Sequence, residues 1–151
     1  MSPFVAGLRA KVGTSLLHLP TVSAICRDGA DRILLVRQID SGWWGVPGGA
    51  IEPGESPEQA VAREMAEETG VTIAPPRLVT VLGGPRCRVE YPNGDQLSFV
   101  AVIYEVTVAH GTLTPDGEET SAVEWFAVED LANLSLGPFS RLLLETGLLS
   151  P

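Results

Sequence analysis

Residues 49–71 run G-A-I-E-P-G-E-S-P-E-Q-A-V-A-R-E-M-A-E-E-T-G-V and close on three glutamates, Glu64, Glu67 and Glu68, within about one helical turn. Residues three and four apart on a helix are neighbours, so Glu64 meets both Glu67 and Glu68, and each like-charge pair costs roughly 0.2–0.5 kcal/mol on an exposed helix. Either the face is solvated or a cation sits on it. Ser56 is a good N-cap, Pro57 suits the first helical position and Gln59 stands where a capping box places its reciprocal partner. Gly70 supplies a C-terminal stop. The spacing predicts a helix from about Pro57 to Thr69, with the glutamates on one stripe and Val61, Ala62 and Met65 packing on the adjoining one. Ahead of it, Pro47-Gly48-Gly49 opens a loop whose glycines permit backbone approaches that side chains would block, so a loop carbonyl can join the carboxylates.

This stretch resembles the Nudix box, the signature of the Nudix hydrolases: G, five residues, E, seven residues, then R-E-U-x-E-E-x-G-U, with U a bulky aliphatic residue. Gly49, Glu55, Arg63, Glu64, Met65, Glu67, Glu68, Gly70 and Val71 fill the fixed positions, Met65 being a mild variant at an aliphatic slot. Trp44-Gly45-Val46-Pro47 ahead of the box and Trp125-Phe126 near the last strand extend the resemblance. It implies an α/β fold, the Nudix-type alpha/beta/alpha sandwich with a mixed sheet. It also implies a metal-dependent pyrophosphohydrolase that cleaves the diphosphate linkage of a nucleoside diphosphate derivative (nucleoside triphosphate, ADP-ribose or nucleotide sugar) by water attack.

Glu64, Glu67 and Glu68 would be metal ligands by resemblance, with the Gly48 carbonyl as a further one. Such hard oxygen donors suit Mg2+, with Mn2+ as the alternative. Arg63 is expected to orient Glu55 or a ligand glutamate rather than touch substrate. The general base is sometimes a box glutamate in this family and sometimes a glutamate near the end of the sheet. Here Glu119 is the first candidate and Glu118 the second. Trp43 is a candidate for stacking a base, whereas Trp44 is expected to pack beneath the box. Arg86 and Arg88 are candidates for phosphate or a terminal ribose, against the plainer reading as solvent-facing strand arginines.

Length and charge agree with this assignment. The 151 residues, 44% of them hydrophobic, suit one domain over residues 1–151 that buries a core without staples. A net charge of −9 argues against a nucleic acid polymer as partner, because that affinity comes from clustered Lys and Arg; a small nucleotide is the expected partner. Cys26 and Cys87 lack CxxC spacing and suit a reducing, cytoplasmic setting. Arg9 and Lys11 interrupt the N-terminal apolar residues before a membrane-length run develops. Residues 1–18 read as a lead-in segment, of which Leu8 to His18 is alternatively part of a homodimer contact.

Strand patterns appear at Thr21–Cys26 and Ile33–Val36 about a turn, then at Leu78–Leu82, Cys87–Tyr91, Leu97–Val108 and Ala122–Phe126, with Asn93-Gly94 as a hairpin turn. Glu129–Asn133 and Phe139–Thr146 read as helical, with Pro138 at the start of the second. Two further readings compete with the enzyme: a non-catalytic Nudix-like module that senses a nucleotide, and an interaction domain whose acidic helix is merely solvated.

Overall fold

Period-two alternation on the central strands divides the apolar residues of this chain between two cores, one on each side of a sheet. In the computed structural model, which describes residues 1–151, helix α1 (Pro3–Val12) precedes β1 (Leu17–Cys26), β2 (Ile33–Gln38), β3 (Trp44–Gly45) and β4 (Gly48–Ala50). Helix α2 (Pro57–Thr69) is followed by β5 (Thr72–Ile73), β6 (Arg77–Leu82), β7 (Arg88–Glu90), β8 (Gln96–Val106), β9 (Val108–His110) and β10 (Thr120–Phe126). A 3-10 turn (Val128–Asn133) leads to α3 (Pro138–Glu145).

Strand β8 is the hub. It runs parallel to β1 from Leu17 opposite Leu97 to Cys26 opposite Val106, and antiparallel to β6 and β7. On the other edge of β1, β4 pairs antiparallel with Gly49 opposite Val22. A second sheet has the order β10-β2-β3, and β5 pairs with β9. The mixed sheets and flanking helices make an α/β architecture.

Ile25, Phe99, Ala101 and Ile103 face a core closed by Leu142 and Leu143 of α3. Their strand neighbours Val22, Ala24, Cys26, Tyr104 and Val106 face the opposite core, closed by Ala60, Val61 and Met65 of α2. Central strands buried on both faces need apolar residues at successive positions, which is why β1 and β8 read as near-continuous hydrophobic runs. Cys26 and Cys87 are buried and free, one in each core, and burial pushes the Cys26 thiol up to about 11.

Two expectations need correction. The first strand begins at Leu17 rather than Thr21, so residues 17 and 18 belong to the sheet, and residues 3–12 form a helix. Pro20 disguises the strand's first half. Its carbonyl accepts from the Ile51 amide on the β4 side, so the missing proline N–H is not one that the β1–β8 ladder uses. The strands about the Asp28-Gly29 turn lie in separate sheets, tied by a single bridge between Arg27 and Ile33.

The closeness of β4 to β1 sets a steric limit. A Cβ on Gly48 would overlap the Val22 carbonyl oxygen and come within 3.0 Å of Ser23 Cα, both backbone. Gly48→Ala is expected to destabilise the fold by about 1–3 kcal/mol as an overpacking change, with Gly29→Ala, where no atom lies within 4 Å of the added carbon, close to neutral. Paired thermal denaturation curves check both.

Candidate active site

Helix α2 begins as its residues dictate. Ser56 Oγ accepts from the Gln59 amide at 3.2 Å, Gln59 Oε1 accepts from the Ser56 amide at 2.9 Å, and Gly70 ends the helix in the left-handed region at φ 77°. The buried arc comprises Ala60, Val61, Glu64, Met65, Glu68 and Thr69. At about 100° per residue that arc centres between Val61 and Glu68. Ala62 falls beyond one edge and is exposed, contrary to the expected packing stripe, and Glu67 falls beyond the other. Two of the three glutamates are therefore not on a solvated face: Glu64 is 9% exposed and Glu68 5%.

Strand β4 crosses directly over these two carboxylates. The Gly48 amide donates to Glu68 Oε1 at 3.2 Å. At Gly49 a Cβ would overlap Glu64 Oε1 and lie 2.6 Å from its Cδ, so only glycine lets the strand approach this closely. Gly48 was expected to offer a carbonyl; the contact recorded here is through its amide. Glu68 Oε2 is buried with no hydrogen-bond partner. Burial pushes the Glu68 carboxyl well above its usual range, and the neighbouring Glu64 pushes it further. Glu64 is also raised by burial, against the opposing pull of Glu68 and Arg63.

Arg63 clamps the loop ahead of the helix to the helix itself. Its Nε and Nη2 donate to the two oxygens of Glu55 at 2.7 and 3.0 Å, and Nη2 also to the Ala50 carbonyl at 3.0 Å. Nη1 donates to Glu64 Oε1 at 2.9 Å and Glu67 Oε2 at 3.2 Å. The fork holds the Glu55 carboxyl below the usual range, and Arg63 in turn is raised, by Glu55 first. The orienting geometry read from the sequence is thus present.

Glu118 and Glu119 sit in a tight turn. Asp116 Oδ1 accepts from the amides of Glu118, Glu119 and Thr120, each at 2.9 Å, and Thr120 Oγ1 donates to the Glu68 carbonyl at 3.2 Å. Burial pushes the Asp116 carboxyl up, but these amides outweigh it and hold it low. Glu119 carries its charge close enough to act on Glu68. Its own carboxylate meets the Met1 amino group.

A cavity of about 1050 Å³ joins these parts. Gly48, Gly49, Arg63, Glu64 and Glu67 line it together with Glu118 and Glu119, and Trp43, Tyr91, Phe99 and Phe139 give it an aromatic wall. Trp43 lies 5.9 Å from Tyr91 at a tilt of 31°, while Trp44 packs edge-on against Phe126 at 4.9 Å. Arg86 and Arg88 do not line this cavity. Arg86 pairs with Glu145, and Arg88 Nη2 donates to Gln96 Oε1 at 2.9 Å. Arg88 is exposed beside buried Val89 on β7, as strand alternation dictates, and Arg86 is exposed in the turn ahead of that strand.

The carboxylates fit a hard cation in part. No three His, Cys, Asp or Glu side chains converge as a closed cage, and Arg63 bonds both Glu64 and Glu67. The orphaned Glu68 oxygen beside Glu64 is nevertheless the kind of donor that a divalent ion satisfies, and the all-oxygen set matches magnesium or manganese rather than a softer metal. Phe99 and Phe139 were missed in the sequence; Tyr91 reads there as strand material beside the Asn93-Gly94 turn, in a segment open to substrate discrimination, but was not singled out.

The raised carboxyls fix the sign of a pH effect. A group whose folded pKa exceeds its unfolded value of 4.5 adds stability below that value and loses it as pH rises through the folded one. With divalent ions chelated, the melting temperature is expected to fall from pH 5 to pH 8, and Glu68→Gln to flatten that slope and melt higher at pH 8. Differential scanning fluorimetry with and without magnesium checks it; equal slopes in parent and variant would remove Glu68 as the cause.

The NUDIX domain model matches residues 17–146. Among curated proteins, the chain is 37% identical over 118 residues to the NAD-capped RNA hydrolase NudC of Stutzerimonas stutzeri, covering 76% of this chain and 39% of that protein. It thus spans well under half the length of that relative. Among solved structures, a MutT NUDIX hydrolase from Burkholderia pseudomallei superposes with a TM-score of 0.70 at 28% identity, covering 85% of this chain and 97% of the other. The NUDIX domain of Shewanella oneidensis NrtR, in complex with ADP ribose, superposes at 0.69 with 25% identity over 97% of both chains. No helix is long and apolar enough to cross a membrane.

Proposed function

The chain belongs to the Nudix hydrolase family, and from that premise we propose that it is a metal-dependent pyrophosphohydrolase acting on the diphosphate of a nucleoside diphosphate derivative. The observation that carries this reading is the pair of buried carboxylates, Glu64 and Glu68, beneath Gly48 and Gly49, with one Glu68 oxygen unpartnered. Glu64, Glu67, Glu68 and the Gly48 carbonyl would hold magnesium or manganese. When bound, the ion would supply charge neutralisation of the diphosphate and acidification of a water.

The protein's own groups do the rest. Arg63, its fork braced on Glu55, bonds Glu64 and Glu67 and would thereby set where those carboxylates point. Glu119 is among the residues that line the cavity, which supports it as the group that would take the proton of the attacking water. Trp43 lies in the aromatic wall and would stack a planar base. The products would be a nucleoside monophosphate and the phosphorylated remainder. NAD-capped RNA and ADP ribose, the ligands in the names of similar proteins, both contain an adenosine diphosphate linkage, so adenosine derivatives lead the substrate panel.

The test is a magnesium-dependent hydrolysis screen over nucleoside triphosphates, ADP-ribose and nucleotide sugars, with parent and Glu68→Gln compared by chromatography and mass. Release of a nucleoside monophosphate, with kcat/KM down at least ~100-fold in the variant, about 2.7 kcal/mol of transition-state stabilisation, is the expected result. Near-parental turnover by Glu68→Gln at low magnesium would sink its ligand role. Ligand-induced stabilisation without turnover by the parent would favour a sensing module instead. In the same assay Glu119→Gln is expected to lose ~100-fold or more in kcat, within the range of general-base catalysis; a loss of only a few-fold would return the base to the box.

A further inference from the structure

Helix α1 lines the cavity without being built into the core. Ser2, Val5 and Arg9, three and four residues apart and so on one face, border the cavity, yet no residue of the helix is buried. A ten-residue helix is too short to be stable alone in water. Ser2 Oγ caps it from within by accepting the Val5 amide at 3.2 Å, so something outside the helix must hold it against the body.

Arg9 supplies the side-chain attachment to the β7–β8 hairpin, beside the Met1 amino group on Glu119 and the Gln96 amide, which donates to the Thr14 carbonyl at 3.3 Å. Its Nη2 donates to the Gln96 carbonyl at 2.6 Å, Nη1 donates to the carbonyls of Ser15 at 2.6 Å and Gly13 at 3.2 Å, and Nε lies 3.7 Å from Asp95 Oδ2. One guanidinium therefore joins α1, the turn that follows it and the β7–β8 hairpin. The side chain is only 12% exposed, so these bonds are poorly screened by water. The hairpin also forms cavity wall through Tyr91 and Asn93, and Tyr91 faces Trp43.

We propose that Arg9 is a positioning residue for substrate recognition: it latches α1 onto the β7–β8 hairpin, and the wall so closed selects the organic group that lies against the aromatic residues of the cavity. The proposal rests on the reading of this cavity as the substrate site. Releasing the latch leaves the box carboxylates and Arg63 in place but opens the wall that α1 and the hairpin form, so binding of the organic group suffers more than the chemical step.

The experiment compares parent, Arg9→Met, Arg9→Lys and Asp95→Asn, with ADP-ribose, GTP and UDP-glucose as probes in magnesium. For the best of these probes, Arg9→Met is expected to raise KM at least tenfold with kcat within threefold, and amides of residues 3–12 to exchange with deuterium at least tenfold faster. Arg9→Lys keeps the charge beside Asp95 but not a planar fork spanning three carbonyls, so it should stay nearer to Arg9→Met than to the parent. If Arg9→Met does not fold, Asp95→Asn carries the test with a KM rise of about threefold. Unchanged exchange over residues 3–12 would overturn the latch, and faster exchange with unchanged KM would overturn its role in recognition. Inability of the parent to turn over any probe would instead overturn the reading of the cavity, while the exchange data still decide the latch.

Discussion

Two carboxylates buried side by side are the constraint around which the rest of this molecule is arranged. Leaving one buried polar atom unsatisfied costs about 1–3 kcal/mol, more when the group is charged, and Glu68 has such an atom. The surroundings supply partial compensation: the Gly48 amide on one Glu68 oxygen and Arg63 on Glu64. Each compensation dictates a feature of the fold. The Gly48 amide reaches Glu68 from a strand that lies close to β1 because position 48 has no side chain against Val22 and Ser23, and close to Glu64 because position 49 has none. Arg63 reaches Glu64 with its fork braced on Glu55, which draws the loop ahead of α2 down against the helix.

The helix that carries these carboxylates is otherwise well matched to its own sequence. A capping box starts it, a glycine in the left-handed region ends it, and its apolar residues Ala60, Val61 and Met65 close one core. The departure from local consistency is confined to the glutamates, and such departures mark functional sites. A solvated acidic face, the bland alternative, would have turned Glu64 and Glu68 away from the core. Burial of both removes that alternative for the pair, and leaves it standing for Glu67 alone, which is exposed.

What the sequence revealed follows the range of the interactions. Helix α2, its caps and its acidic crowding are local features and were legible residue by residue, as was the orienting geometry of Arg63. The strand limits were legible where alternation was clean, and failed at Pro20, whose fit depends on which neighbour its backbone faces. Arg86 lies in a turn and Arg88 on a strand whose inward face only the packing of Val89 reveals. The aromatic wall of the cavity was the least legible part. Trp43, Tyr91, Phe99 and Phe139 come from four separate segments, and nothing in their spacing announces that they meet.

Charge completes the argument about what enters the cavity. Among its lining side chains only Arg9 and Arg63 are basic, against Asp40, Glu52, Glu64, Glu67, Glu118 and Glu119 among the acidic ones. Both arginines are already committed, Arg63 to three carboxylates and Arg9 to three carbonyls and Asp95. A diphosphate approaching this surface meets repulsion that no free guanidinium offsets, at separations where unit charges interact by about 4 kcal/mol near a protein surface. The positive charge must therefore arrive with the substrate or be held by the carboxylates before it. Under the proposed function, the carboxylates with their cation would hold the diphosphate that the candidate substrates share. Discrimination among them would then fall to the wall of Trp43, Tyr91 and α1, away from the buried pair in sequence and in core.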